Sequence, residues 1–106
     1  MMHLGMIYKS VLGKNIELTA ERKIHILLYH PDLKPYFSKI KAILLKPGEI
    51  RVSKSDPAVL LFYKFFANIL GGKFIVVTVK VNERSFILTA YLSNRILSGE
   101  KYEQAK

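Results

Sequence analysis

The sequence contains no cysteine and no long hydrophobic run, and each absence excludes a class of protein. A chain without cysteine forms neither disulfides nor thiolate metal sites, so we expect it to work in the reducing cytoplasm. The most apolar run, residues 58–70, includes Lys64 and Asn68 and is shorter than the roughly 20 residues of a membrane-spanning helix. The first residues combine no basic region with a long apolar run, so we expect neither a signal peptide nor a membrane partner.

Sequence signals for a bound metal or nucleotide are also missing. The three histidines have no cysteine beside them, and Glu21 is the only carboxylate near His25, which gives no convincing ligand spacing. Gly71-Gly72 stands alone, without the longer glycine pattern of a phosphate-binding loop. We therefore expect no metal and no cofactor.

Acidic residues are scarce, with 8 against 17 basic residues, and the formal net charge is +9. Such an excess of positive charge on a small domain is typical of proteins that bind a polyanion, most often a nucleic acid. The alternative is a lysine-rich surface that serves solubility, as in many proteins of heat-loving organisms. With 106 residues, half of them apolar, the chain is expected to form one domain, with a polar tail at about 98–106.

The first part of the sequence predicts a β-hairpin followed by a helix. Met6 to Leu18 forms two short strands around Gly13-Lys14. The helix runs from about Ala20 to Tyr29, with Thr19 as its N-cap and Pro31 ending it. Its apolar stripe is predicted from three residues at helical spacing: Ile24, Leu27 and Leu28. A second face carries side chains that can touch one another: Arg22, His25 and Tyr29.

A second helix is predicted from Asp32 to the stop at Pro47-Gly48. Asp32 caps it, and Pro35 falls in its first turn, where proline is tolerated. Its apolar face is predicted to consist of Leu33, Phe37, Ile40, Ile43 and Leu44. Its lysines lie on the other faces, where they either contact phosphates or are simply solvated.

From Glu49 the hydrophobic pattern changes to the alternation of strands. Strands are expected at residues 49–53, 58–66, 73–81 and 85–92, and the last two pair antiparallel. Residues 57–70 also fit a helix, but their aromatic and β-branched content favours a strand. Simple alternation places four residues on one side of the last strand: Ser85, Ile87, Thr89 and Tyr91. The sequence thus predicts an α+β fold, with an N-terminal hairpin and two helices packed on a C-terminal antiparallel β-meander of about four strands.

Several short segments, in this order, match a known group of proteins. They are Ile16-Glu17-Leu18-Thr19, Glu21-Arg22, His25-Ile26, His30-Pro31, Pro47 with Ile50, Tyr63-Lys64, Ile75-Val76-Val77 and Thr89-Ala90-Tyr91. Over about residues 16–99 the chain resembles the small proteins of the phage-barnase–EndoU–colicin–RelE-like nuclease group. The resemblance implies a ribonuclease or toxin ancestry. The net charge of +9 predicts binding of RNA, for example tRNA, and with a toxin ancestry an antitoxin or immunity protein is a further candidate partner.

The chain departs from this group at two places. The group usually has an aromatic residue after the arginine of the helix, where this sequence has Lys23, so we expect altered packing there. The group usually ends in a short strand with a tryptophan, and this sequence has no tryptophan. The formation of a C-terminal strand is therefore left open.

Cleavage of RNA without a metal needs a base for the 2′-OH, an acid for the leaving oxygen and cations on the phosphorane. His25 is the candidate acid–base group, and Arg22, one turn away, is the candidate phosphate clamp. Three hydroxyls complete the predicted catalytic set: Tyr63, Thr89 and Tyr91. The candidate substrate-binding residues are Lys64, Arg95 and His30. The resemblance implies that the catalytic set and Lys64 line one site.

Each candidate also has a purely structural interpretation. A helical histidine can be a packing residue, an arginine can cover a sheet edge with its stem, and tyrosines can be core aromatics. In a regular strand Lys64 faces away from Tyr63, so both reach one site only through a twist or bulge. The leading prediction is an RNA-binding, metal-independent endoribonuclease or toxin-like protein. The alternatives are an inactive RNA- or protein-binding module and a phage-associated structural protein of the same fold.

Overall fold

The computed structural model describes residues 5–96 and 99–102 of the chain. It has two α-helices, a 3-10 helix and a seven-stranded mixed sheet, so the α+β class is confirmed. The elements in chain order are β1 (Met6–Lys9), β2 (Asn15–Leu18), α1 (Ala20–Tyr29), the 3-10 helix (Pro31–Lys39), α2 (Ile40–Leu45), β3 (Glu49–Val52), β4 (Val59–Phe66), β5 (Lys73–Lys80), β6 (Ser85–Ser93) and β7 (Glu100–Lys101).

The strands lie in the order β1-β2-β6-β5-β4-β3-β7. The expected four-stranded antiparallel meander, β3 to β6, forms the central part of this larger sheet. The predicted hairpin forms between β1 and β2, but it extends the sheet instead of packing on it. β2 pairs parallel with β6, with Ile16 opposite Ser85. The strand predicted at residues 58–66 is present as β4, and the helical alternative is wrong.

One face of the sheet, the helix-covered face, carries the main core. The 3-10 helix and α2 replace the single predicted helix, and Pro31 and Pro35 lie within the 3-10 segment. Proline has no N–H to donate to the preceding turn, which disfavours a continuous α-helix there. The five residues predicted to form the apolar face of this region are all buried, as expected: Leu33, Phe37, Ile40, Ile43 and Leu44.

The predicted apolar stripe of α1 is wrong in part. Ile24 and Leu28 are 68% and 73% exposed, whereas Ile26 is completely buried and Leu27 is half-buried. α1 contacts β6 and the 3-10 helix, and only a narrow side of it faces the core. Helical spacing identifies residues that share a face, but it does not decide which face meets the sheet.

The predicted alternation along β6 is broken by a β-bulge. Val79 pairs with Ile87, but the preceding residue, Thr78, pairs with Thr89, so Leu88 is the extra residue. The bulge moves Thr89 and Tyr91 to the side of the sheet opposite Ile87, which packs in the main core. Hence Ser85 and Ile87 do not share a side with Thr89 and Tyr91, because an inserted residue inverts the alternation beyond it.

The other face of the sheet, called the open face here, carries a smaller apolar cluster. Leu61, Tyr63 and Val76 are buried there, with Phe74, Tyr91 and Ile96 packed around them. At β3, the Arg51 guanidinium donates a hydrogen bond to the Gly99 carbonyl at 3.0 Å.

β7 pairs with β3, so part of the predicted polar tail is a short strand. A C-terminal strand therefore forms here without the tryptophan usual in the resembled group. The remainder of the predicted tail, residues 98 and 103–106, lies outside the described residues.

Candidate functional site

A groove with a volume of about 340 Å³ lies between α1 and β6. β2 pairs with β6 only at Ser85 and Phe86, so α1 lies beside the following part of β6. The groove is lined by Arg22, His25, Ile26, Tyr29, His30, Leu88 and Thr89. Arg22, His25 and His30, predicted functional residues of α1 and its C-terminal end, thus line one groove. Thr89 of the sheet lines it with them.

The local structure of α1 sets the positions of the two central candidates. Thr19 Oγ1 accepts a hydrogen bond from the Arg22 N–H at 3.0 Å, which caps the helix. The His25 and Tyr29 rings lie 4.6 Å apart between centroids, as expected for side chains one turn apart. Within the described residues the Arg22 side chain forms no ion pair, so its guanidinium is available to an anion.

His30 ends α1, and its ring packs on the sheet. Its N–H donates to the Ile26 carbonyl at 2.8 Å, and Pro31 begins the next segment. The His30 ring centroid lies 5.7 Å from that of Tyr91. This contact joins the groove to the open face of the sheet. His30 therefore lies in the same groove as His25, which gives the groove two imidazoles.

The Thr89 side chain reaches the groove because of the bulge in β6. The Thr78 hydroxyl donates to the Thr89 carbonyl at 3.2 Å and accepts from the Thr89 N–H at 3.1 Å. The hydroxyl thus satisfies both backbone groups of Thr89 where the regular ladder is disrupted. Sequence alternation alone gave no sign of this bulge or of Leu88, which also lines the groove.

Tyr91 and Tyr63 lie on the open face, on either side of Val76. Burial raises the pKa of the Tyr91 hydroxyl, and the neighbouring Tyr63 raises it further. Tyr63 is completely buried, and its hydroxyl has no hydrogen-bond partner among the described residues. Tyr63 therefore supports Tyr91 from the interior of the face and does not line the groove.

The structure does not bring Lys64 or Arg95 into this groove. Lys64 lies on the helix-covered side, where its Nζ donates to the Lys46 carbonyl at 2.8 Å. Regular alternation in β4 keeps it away from Tyr63, and no bulge in β4 reverses this. Arg95 follows β6, and its N–H donates to the Ser93 hydroxyl at 3.2 Å. It is exposed and lies two residues beyond Ser93, the last residue of β6.

Arg84 is a neighbouring cation that the sequence did not single out. It lines an adjoining pocket of about 290 Å³ together with Arg22 and Thr19. Its guanidinium contacts the Glu17 carboxylate at 2.7 Å, and its side chain is 81% exposed. Its placement depends on the parallel pairing of β2 with β6, so the local sequence contains no signal for it.

Some of the excess lysines serve packing in the helical layer. Lys23 Nζ lies 5.0 Å from the centroid of the Phe37 ring, and Lys39 Nζ lies 5.0 Å from that of Phe66. These are cation–π distances. Lys23, which stands where the resembled group usually has an aromatic residue, thus covers an aromatic ring itself.

Among residues 5–96 and 99–102, no group of three or more histidine, aspartate or glutamate side chains is placed to hold a metal ion. No helix in the same ranges is long and apolar enough to cross a membrane. Comparisons with protein-family models, with curated proteins and with solved structures found no match to this chain.

Proposed function

We propose that this protein binds RNA and cleaves it without a metal ion, with the groove between α1 and β6 as the active site. The single observation that carries the proposal is the meeting of Arg22, His25, His30 and Thr89 in that groove. The net charge of +9 supports a polyanionic substrate. The resemblance to a metal-independent nuclease group supports RNA as that polyanion.

The proposed reaction is an internal transfer at phosphorus. The 2′-oxygen attacks the adjacent phosphorus while a base removes its proton, and the bond from phosphorus to the 5′-oxygen breaks as an acid protonates that oxygen. The products are a 2′,3′-cyclic phosphate and a free 5′-hydroxyl. Imidazoles suit both proton transfers near neutral pH, so His25 and His30 divide the roles of base and acid.

The remaining groove residues act on charge and position in this proposal. Arg22 holds the phosphate through two parallel hydrogen bonds, the geometry that a guanidinium provides. Thr89 donates its hydroxyl to a phosphate oxygen from the opposite wall. Tyr91 packs against His30 and fixes the ring that exchanges the proton.

The test is cleavage of a structured RNA, such as tRNA, in the presence of EDTA. His25→Ala is expected to lower the rate roughly 100- to 10,000-fold, the usual contribution of an acid–base group, while the unfolding temperature stays within a few degrees. Leu28→Ala is the matched control, because Leu28 lies on the same helix and is 73% exposed. It is expected to cleave at the wild-type rate.

Arg22 gives a second measurement on the same groove. Arg22→Ala is expected to weaken both binding and rate, and Arg22→Lys to restore them only in part, because lysine cannot make the bidentate contact. Cleavage by His25→Ala at the wild-type rate would mean that the site lies elsewhere. Absence of EDTA-resistant cleavage by the wild type would remove the catalytic proposal.

The second candidate function is a binding module that holds RNA or a partner protein without cleaving. The exposed side chains of Ile24 and Leu28 favour it, because neighbouring apolar side chains on the outside of a helix are typical of protein contacts. RNA binding whose affinity falls linearly in log salt, without any cleavage, is the result expected for this alternative. Absence of RNA binding at low salt favours a protein-binding or structural role.

A further inference from the structure

The open face carries an exposed aromatic ring that is held in a fixed position. Phe65 is 52% exposed, although it lies on a central strand. Its ring meets Phe74 edge to face, with centroids 5.2 Å apart. Gly72 lies so close that a Cβ there would come within 2.9 Å of Phe65 Cζ. Phe74 and Gly72 thus contact the Phe65 ring from two sides, and the remainder of the ring is open to solvent.

The ring of Phe65 belongs to an aromatic row that reaches the candidate active site. Phe74 contacts Tyr63 edge to face at 6.1 Å between centroids. Tyr63 and Tyr91 lie on either side of Val76 in one cluster, and the Tyr91 and His30 ring centroids are 5.7 Å apart. From Thr89 to Ser93, which lies opposite Phe74, β6 advances by about 13 Å, and Phe65 on β4 lies two strand spacings, about 10 Å, further across the sheet. This distance between the groove and Phe65 is spanned by several nucleotides of one strand rather than by a single nucleotide.

Positive charge lies beside this end of the row. Arg95 is exposed, and its backbone is fixed by the Ser93 hydroxyl, which donates to the Arg95 carbonyl at 2.6 Å. β4, β5 and β6 contain no aspartate or glutamate. The surroundings of Phe65 therefore suit an anionic ligand that also presents a flat apolar surface.

We propose that Phe65, supported by Phe74 and flanked by Arg95, is a stacking subsite for an unpaired base of a single-stranded RNA. The inference rests on the proposed function, because the scissile phosphate of the same strand would lie in the α1–β6 groove. A base within a duplex is already stacked on both sides and does not reach the exposed ring, whereas unpaired bases stack readily on aromatic side chains. The guanidinium of Arg95 contacts the backbone phosphate next to the stacked base.

The test is fluorescence anisotropy with a labelled single-stranded RNA of about ten nucleotides and the same strand in a duplex, using catalytically inactive His25→Ala as the background. Phe65→Ala is expected to weaken single-strand binding about 5- to 150-fold, the range of one base stack. Phe65→Tyr, which keeps the ring, is expected to bind normally. Leu70→Ala is the matched control, because Leu70 is an exposed apolar residue in the adjoining β4–β5 connection.

Arg95→Ala is expected to lower the slope of log affinity against log salt by about 1, the signature of one lost phosphate contact. Equal binding by Phe65→Ala and its background, equal affinity for single strand and duplex, or no RNA binding at all would each overturn the subsite. The proposed function fails separately. Without EDTA-resistant cleavage by the wild type the catalytic proposal is lost, whereas Phe65-dependent binding would still establish the subsite.

Discussion

The two faces of the sheet use the same strands for different purposes. Along β4, Leu60 and Phe62 pack into the main core beneath the helices, whereas Leu61 and Tyr63 belong to the small cluster on the open face. The main core on the helix-covered face consists of aliphatic and aromatic residues. The open face combines aromatic rings with hydroxyls, one of which, on Tyr63, has no partner among the described residues. The apolar composition of the helix-covered face stabilises the fold. Stability alone does not explain the hydroxyls of the open face.

The largest expected difference in stability is between substitutions of two neighbouring residues that lie on opposite faces of the sheet. Phe62→Ala is expected to lower the free energy of unfolding by about 3–5 kcal/mol, because Phe62 is completely buried in the main core. Tyr63→Phe on the next residue removes only the unpartnered hydroxyl, so its stability is expected to change by less than about 1 kcal/mol. Urea unfolding followed by circular dichroism measures both.

Cleavage of RNA by Tyr63→Phe provides the functional half of the same experiment. A lower rate at unchanged stability would indicate that the hydroxyl serves the site through Tyr91. A large loss of stability in Tyr63→Phe would contradict the comparison, because the hydroxyl would then contribute to packing. A small loss in Phe62→Ala would mean that the helix-covered face is not the main core.

The hydrophobic pattern of the sequence predicted the parts of the fold that depend on local period. The strands β4 to β6, the buried face of the second helical region and the hairpin all follow from residues close together in sequence. The parallel pairing of Ile16 with Ser85 does not, because long-range strand pairing depends on the packing of the whole domain. The same reason explains why Ile24 and Leu28 of α1 face solvent.

The next prediction concerns the bulge in β6, where the alternation of side chains between the two faces of the sheet is inverted. Thr78→Val removes the hydroxyl that satisfies both backbone groups of Thr89 and keeps the side-chain shape. It is expected to lower the free energy of unfolding by about 1–3 kcal/mol, because it leaves polar backbone groups unpaired. Thr78→Ser, which keeps the hydroxyl, is expected to lose less. Thermal unfolding of the three proteins measures the difference.

The functional consequence of Thr78→Val is a displaced Thr89 and therefore slower cleavage of RNA. Equal stability of Thr78→Val and wild type would show that the bulge does not depend on this hydroxyl.

The bulge also explains why the candidate site was only partly predictable from the sequence. The helix spacing placed Arg22 and His25 together, but the position of Thr89 relative to them follows from an inserted residue that alternation does not reveal.

The smallest expected effect compares one tyrosine from each face at alkaline pH. Burial raises the pKa of Tyr8 on the helix-covered face, and burial together with Tyr63 raises the pKa of Tyr91 on the open face. A raised pKa means that the unfolded chain loses its proton first. The stability associated with each protonated hydroxyl is thus complete below the usual tyrosine pKa of 10.0. It declines as pH rises through the pKa of the folded state.

Tyr8→Phe and Tyr91→Phe are therefore each expected to reduce the loss of unfolding free energy between about pH 8 and about pH 11 relative to wild type. Tyr63→Phe is expected to reduce it less, since it removes only the second cause of the Tyr91 shift. Urea unfolding at each pH measures the loss, and the ultraviolet absorbance of tyrosinate reports the ionisation directly. If Tyr91→Phe loses as much stability as wild type while Tyr8→Phe does not, the Tyr91 hydroxyl is more open to water than its packing indicates. That result would make Tyr91 a solvent-facing wall of the groove. A similarly reduced loss of stability in both variants would keep Tyr91 as the half-buried support of His30.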